Sequence, residues 1–237
     1  KKLEEASLLP AKIVKNQVFG KQFHTICSGG AYLDPKYIDM FKKYGIVIQQ
    51  GYGMTECSPV ISISQRWNIR SDSVGQLVPN CEAKTVDGEL WVKGSSVMQG
   101  YYRMPEETAE TLKDGWLKTG DLGYVDEEGF VYLTGRKKNL IITKNGENVS
   151  PEELENALSG NRLVGEVLVR EKGGVIEAEI YPDQDYVKRK RVKDVRAALQ
   201  EVIDAYNRTA APQKKIYSLI VRDKEFEKTT TRKIKRF

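Results

Sequence analysis

The stretch FHTICSGGAYLDPKYIDMFKKYGIVIQQGYGMTE, residues 23–56, decides the fold. Phe23-His24-Thr25-Ile26-Cys27 is a short β-prone run that leads into Ser28-Gly29-Gly30-Ala31. Residues 35–44 (PKYIDMFKKY) place apolar side chains at helical spacing, and Gly45 stops them. Ile46-Val47-Ile48-Gln49-Gln50 then reads as a buried strand. Strand, glycine turn, helix and strand is the order that a parallel sheet produces, with ligands at the carboxyl ends of its strands. The two glycine-rich turns, Ser28–Ala31 and Gly51–Thr55, are therefore expected side by side on one edge.

Outward from this unit, residues 3–20 form a helix-like amphipathic stretch ending at Gly20. From about Val74 the pattern changes to short alternating strands, residues 81–103 and 116–134, broken by Asp87-Gly88 and Glu128-Gly129, which are hairpin signals between β-formers. Beyond Gly135 a helix opens at Ser150-Pro151-Glu152-Glu153, with Ser150 as N-cap, Pro151 in the first helical position and Glu153 completing a capping box with Ser150. Strands near 164–170 and 175–181, a helix near 191–207 and a strand near 216–221 follow. Residues 228–237 read as polar, basic and irregular. The fold class is thus α/β and α+β: residues 1–73 as an α/β sheet, 74–135 as a small antiparallel β subdomain, and 136–237 as a compact α+β domain.

The 237 residues are 40% hydrophobic and 30% charged. That composition supports packed cores and excludes a chain disordered for lack of apolar side chains. Apolar runs such as Leu140-Ile141-Ile142 are far shorter than the roughly 18–20 residues of a spanning helix. The three cysteines, Cys27, Cys57 and Cys81, have neither a disulfide framework's spacing nor a zinc site's, and point to a reducing, cytoplasmic setting. His24 is the single histidine, so a His-based mechanism would rest on one side chain in an expected strand. Residues 1–134 carry 15 Lys+Arg against 17 Asp+Glu, whereas 135–237 carry 23 against 16. The basic second part suits a polyanion or a phosphate-bearing small molecule.

In Gly51-Tyr52-Gly53-Met54-Thr55-Glu56, the glycines let the backbone approach a ligand closely. Tyr52 offers a flat face for a purine, Thr55 a hydroxyl for phosphate, and Glu56 a hard carboxylate for Mg2+. Alone, the same residues would serve an ordinary tight turn. In Lys118-Thr119-Gly120-Asp121, a strand-borne Asp121 can accept both hydroxyls of a ribose. Arg136, in Gly135-Arg136-Lys137-Lys138, can add a fixed-charge donor beside it. The plain alternative is a surface hairpin with a turn aspartate. The closing run KTTTRKIKR (228–236) is either a solvated basic tail or a functional cation.

Taken in order, SGGA (28–31), GYGMTE (51–56), GELWVKGSSVMQGYY (88–102), GWLKTGD (115–121), GRKKNLIITKNGENVSPEELE (135–155) and KTTTRKIKR (228–236) resemble the adenylate-forming, AMP-binding superfamily of acyl-CoA synthetases, luciferases and peptide-synthetase adenylation domains. The likeness is greatest to long-chain fatty-acid–CoA ligases and runs over nearly the whole chain. The resemblance implies that Gly29, Gly30 and Ala31 line the adenine and acyl pockets. It implies that Gly51, Tyr52, Gly53, Met54 and Thr55 bind nucleotide, with Tyr52 against adenine, Thr55 on phosphate and Glu56 on Mg2+. Asp121 would take the ribose hydroxyls with Arg136 beside it. Lys138 would be the hinge about which the C-terminal domain turns. Lys144, Asn145 and Gly146 would lie in the CoA-binding loop. Lys233 would bridge the acyl carboxylate and the α-phosphate, so that Thr55, Glu56 and Lys233 form the catalytic set.

The activity so implied is ATP-dependent conversion of a carboxylic acid, a long-chain fatty acid, to acyl-AMP and then acyl-CoA. ATP, Mg2+ and coenzyme A are the implied cofactors and substrates. The implied partners are small molecules, with peripheral membrane contact through the acyl substrate and no nucleic acid. The family's Gly- and Ser/Thr-rich phosphate loop is absent, so the chain is expected to be the C-terminal part of a longer enzyme and weakly active or inactive alone. Arg232 stands where many relatives have Gly, and Lys138 where Asp is commoner. An aryl- or amino-acid-activating enzyme that loads a carrier protein is the alternative within the superfamily. A non-catalytic basic binding module is the alternative outside it. Its support is KRKRVK (188–193), a run without interleaved aromatics.

Overall fold

Local sequence explains most of the helix and turn boundaries. The computed structural model describes residues 11–230 and 233–236. The first part of the amphipathic 3–20 stretch, together with Thr231, Arg232 and Phe237, lies outside the described residues. The chain divides into two compact units, Lys1–Leu133 and Thr134–Phe237.

In the first unit, α1 (Ala11–Val18) precedes β1 (Thr25–Gly29), α2 (Pro35–Lys43) and β2 (Val47–Gly53). Asp34 caps α2 by accepting the Lys36 N–H, and Pro35 takes the first helical turn, where no backbone donor is needed. β1 and β2 are parallel, in a register that pairs Gly29 with Gly51. The two glycine turns therefore leave the sheet side by side, as their order in the chain requires. β3 (Val60–Ile63) and β4 (Gln76–Leu77) continue the sheet antiparallel.

The second sheet of this unit follows the order β5-β6-β8-β7, with β9 on β8. Its strands are β5 (Cys81–Val86), β6 (Glu89–Gly94), β7 (Leu112–Lys113), β8 (Trp116–Val125) and β9 (Val131–Arg136), whose last three residues belong to the second unit. Asp87 and Gly88 turn β5 into β6 with φ of 50° and 80°, the left-handed pair that matches strand twist. Asp114-Gly115, with φ of 52° and 78°, joins β7 to β8 in the same way, a hairpin beyond the two that the strand pattern suggests. α3 (Pro105–Thr111), likewise outside that pattern, begins on a proline and carries Glu106 and Glu107 in its first turn. Tyr52 and Ile61 from the first sheet and Leu90, Val92 and Leu117 from the second share one buried cluster.

In the second unit, β10 (Ile141–Ile142) and β11 (Asn148–Val149) form a small hairpin. α4 (Pro151–Ser159), β12 (Val164–Lys172), β13 (Val175–Pro182), α5 (Gln184–Lys190), α6 (Val195–Thr209) and β14 (Ser218–Val221) follow. The sheet order is β12-β13-β14, with β14 parallel to β13. Alternation sorts its two faces: Ile176, Ala178 and Ile180 join Leu154, Leu158, Leu199 and Ile203 in the core. Glu177 and Glu179, on the other face, pair with Arg170, and Arg222 also binds Glu179.

Three expectations are corrected here. The Ser150–Glu153 capping box does not form: the Ser150 hydroxyl donates to Glu152 (3.0 Å), and Glu153 pairs with Lys214 (2.6 Å). Gly135 packs against Ser150, which leaves the serine turned toward its near neighbour. The helix expected near 191–207 is α6 and begins later, at Val195: Arg191 takes a left-handed conformation that ends a separate helix, α5, and Asp194 caps α6 by accepting the Ala197 N–H. The tail, expected to be irregular, carries one antiparallel bridge among its described residues, Lys228 to Ile234. Among the described residues, no helix is long and apolar enough to cross a membrane.

Candidate nucleotide site

In the first unit the site gathers at the carboxyl ends of β1 and β2. A Cβ on Gly29 would lie 3.0 Å from the Gly51 carbonyl oxygen, and one on Gly53 only 1.8 Å from that of Pro59. The absence of side chains is what lets these backbones pass so closely. Beyond Gly53 the chain turns sharply. Met54 N–H donates to Pro59 O (2.8 Å), and Thr55–Cys57 form one turn of 3-10 helix. Gly29, Gly30, Ala31, Gly53 and Thr55 are exposed, Gly51, Met54 and Glu56 half-buried, and Tyr52 buried.

The Tyr52 hydroxyl donates to Asp121 Oδ2 at 2.7 Å across 69 positions of sequence. Asp121 lies in β8 and is buried. Its own N–H donates to Thr119 Oγ1 (3.1 Å), and the Thr119 hydroxyl donates to Leu90 O (2.7 Å). The intervening Gly120 N–H donates to Glu89 Oε1 (3.0 Å). Each side chain of the TGD turn is thus held by β6 or by β2, which fixes the direction of the carboxylate. The sequence offers Tyr52 as a face for a base; what its hydroxyl does here is orient Asp121.

Glu56 is held as firmly. The Tyr101 hydroxyl donates to its Oε1 (2.9 Å), and the Met98 N–H donates to its backbone oxygen (2.8 Å). Burial, together with the bond to Glu56, raises the Tyr101 phenol above its ordinary pKa, so it stays a donor. Among the described residues no three His, Cys, Asp or Glu side chains gather as a metal cage. A lone oriented carboxylate fits Mg2+, which takes one or two carboxylates and completes its shell with water and substrate phosphate. Tyr101 and Glu89 sit in the 88–102 stretch, to which no site role had been assigned. Nothing local signals either, since each acts on a partner 45 or 31 positions away. His24, exposed, accepts from Lys15 Nζ (3.0 Å) and stands outside the group.

The other candidate residues lie in the second unit. Arg136 ends β9 and is exposed. Lys138 is exposed in a 3-10 turn, Lys137–Asn139. Lys144, Asn145 and Gly146 form the exposed turn between β10 and β11, closed by Gly146 N–H to Thr143 O (2.9 Å) and Thr143 N–H to Glu147 O (2.9 Å). Lys233 is exposed on the outgoing arm of the terminal hairpin.

The family model described as AMP-binding enzyme matches residues 4–102, and that described as AMP-binding enzyme C-terminal domain matches 138–237. A long-chain-fatty-acid–CoA ligase of Mycobacterium bovis is 43% identical over 143 residues, covering 60% of this chain and 24% of that protein. One of Bacillus subtilis is 36% identical over 223 residues, covering 88% of this chain and 39% of that protein. The matched part of the chain therefore spans 24% and 39% of these relatives' length. Among solved structures, o-succinylbenzoate CoA synthetase from Bacillus subtilis, in complex with the acyl-adenylate intermediate OSB-AMP, superposes with a TM-score of 0.76 at 28% identity. That match covers 94% of this chain and 48% of the other. The same enzyme with ATP and magnesium ion gives 0.74 at 28% identity, covering 89% of this chain and 45% of the other. With one family model before the TGD turn and one after it, and that turn braced by Tyr52 and Glu89, the chain belongs to the AMP-binding enzyme family, including that family's C-terminal domain.

Proposed function

We propose that this chain is part of an ATP-dependent acid–CoA ligase that activates a long-chain fatty acid. The observation that carries the reading is the Tyr52–Asp121 hydrogen bond, which aims a buried carboxylate from beside the glycine turns of β1 and β2. Asp121 accepts the two ribose hydroxyls. Gly29, Gly30 and Ala31, with Gly51 to Met54, give the base and the phosphates close backbone approach. The Thr55 hydroxyl donates to phosphate. Glu56, oriented by Tyr101, holds Mg2+, which when bound offsets phosphate charge.

The substrate carboxylate attacks the α-phosphorus of ATP, and pyrophosphate leaves. Two anions meet in that step, so catalysis is mainly positioning and charge stabilisation. Lys233 supplies the ammonium between carboxylate and α-phosphate. The CoA thiol then loses its proton and attacks the acyl carbon, and AMP leaves. Lys144, Asn145 and Gly146 belong to this second step, Arg136 to the nucleotide, and Lys138 to the turn of residues 136–237 between the steps. Residues 1–73 serve as the α/β sheet and residues 74–135 as the β subdomain.

The long-chain assignment is supported by the names of the two curated relatives. An aryl acid is the second reading, favoured by the likeness to the o-succinylbenzoate enzyme. Pyrophosphate release by the full-length enzyme, measured over a panel of fatty and aryl acids, decides between them. Release with neither class refutes the ligase reading. Within that enzyme, Lys233→Ala abolishes acyl-AMP formation while sparing thioester formation from supplied acyl-AMP. Asp121→Ala weakens ATP binding, as calorimetry would show; unchanged affinity removes Asp121 from the site.

A further inference from the structure

Lys233 is a long, exposed side chain near the end of the chain, and an ammonium helps a transition state only where its backbone is held. The hairpin that carries it is closed by its own backbone. Thr229 N–H donates to Lys233 O (2.8 Å), Lys235 N–H to Glu227 O (2.8 Å), and Lys233 N–H to Thr229 Oγ1 (3.2 Å). What ties this hairpin to the rest of the second unit is a set of carboxylates, led by one for each arm; Arg236 also pairs with Glu152 of α4 at 3.3 Å.

Glu166, on β12, takes the incoming arm. Its Oε2 accepts the Phe226 N–H at 2.8 Å, and its Oε1 pairs with Lys228. Glu155, on α4, takes the outgoing arm. Its Oε1 and Oε2 accept from the two terminal nitrogens of Arg236 at 2.9 and 2.5 Å, a forked contact with directional as well as ionic strength. Glu155 Oε1 also accepts the Val169 N–H (2.7 Å), which ties the same carboxylate to β12. Both carboxylates are mostly buried, with side-chain exposures of 13% for Glu155 and 15% for Glu166. The anchors fall at Lys228 and Arg236, on either side of Lys233, and neither touches Lys233 itself.

We propose that Glu155 and Glu166 are positioning residues that hold the hairpin so that Lys233 reaches the adenylation centre. This rests on the reading in which Lys233 acts in adenylation. A hairpin released at either arm leaves the ammonium present but misplaced. The loss then falls on the step that uses Lys233, and binding of ATP by the first unit's residues stays intact.

The test uses the full-length enzyme, with Lys233→Ala, Glu155→Gln, Glu166→Gln and Arg236→Ala compared in two assays. One is acid-dependent ATP–pyrophosphate exchange, and the other is thioester formation from supplied acyl-AMP. Expected in each anchor variant is a fall in exchange kcat of about 10- to 100-fold, the scale of an ångström-size misplacement, with KM for ATP within about twofold of wild type. Thioester formation and the melting temperature stay near wild type. Arg236→Lys, added to the set, keeps a cation beside Glu155 while losing the forked contact, so it answers for Glu155→Gln or Arg236→Ala should either fail to fold. If Lys233→Ala leaves exchange intact, the assignment of Lys233 fails, and the inference with it. If Lys233→Ala abolishes exchange but the anchor variants match wild type, the positioning role alone is overturned. Parallel loss in both assays together with a lowered melting temperature also overturns it, since that marks a purely structural contact.

Discussion

Tyr52 and Gly53 are adjacent, yet they serve the site by opposite means. Tyr52 contributes a ring and a hydroxyl, and the two are separable. Tyr52→Phe keeps the ring and deprives a buried Asp121 oxygen of a donor, at a cost of about 1–3 kcal/mol. Urea unfolding followed by tryptophan fluorescence measures this, since Trp67, Trp91 and Trp116 all lie in the first unit. ATP affinity of the full-length enzyme should fall as well. A Phe variant that binds ATP like wild type would mean that the ring alone matters. Gly53 contributes only its lack of a side chain. Gly53→Ala drives a methyl into the Pro59 carbonyl, so the turn before Thr55 must shift, with a loss of about 1–3 kcal/mol expected from overpacking. A variant of unchanged stability would show that the turn yields freely.

The turn between β8 and β9 is an element with its own electrostatics. Asp126 Oδ1 accepts the Glu128 and Phe130 N–H groups (3.0 and 2.9 Å), and Oδ2 accepts from Arg70 (2.5 Å). Burial works against its ionisation. The two backbone donors and the Arg70 guanidinium outweigh it and hold the carboxyl below its ordinary value of 3.8. A lowered value in the folded state means that the contribution to stability is complete above the ordinary value. It is lost as pH falls through the folded one. Asp126→Asn should therefore make the acid side of the stability profile below pH about 3.8 less steep. Equal slopes in wild type and variant would show that another group governs that limb. The hairpin Asp114-Gly115 shows how much an element's reading depends on its surroundings. Its dipeptide is as clear a signal as Asp87-Gly88, but β7 is two residues long and becomes a strand only by pairing with β8.

At the scale of the whole molecule, two separate cores carry the fold. The core of the second unit is assembled from α4, α6 and one face of the β12-β13-β14 sheet. Leu154 is fully buried in it, so Leu154→Ala should destabilise that unit by about 2–5 kcal/mol. Hydrogen exchange at the β12 and β13 amides would report the change, and unaltered protection would remove Leu154 from the core's centre.

Short-range pattern was enough to read the parallel pairing of β1 with β2, the glycine turns at their ends, the Asp87-Gly88 hairpin and the helix opening at Pro151. In each, short-range features were enough: periodicity, a proline in the first helical turn, a glycine that must accept positive φ. The six ordered motifs likewise named the family, because their spacing is a property of the chain. The partners of those motifs were decided only when the chain folded. Tyr101 reaches Glu56, Glu89 reaches Gly120, and Glu155 holds Arg236 across 81 positions. Such bonds depend on how strands and helices pack, and a side chain's local sequence carries no record of the group that packing will set against it.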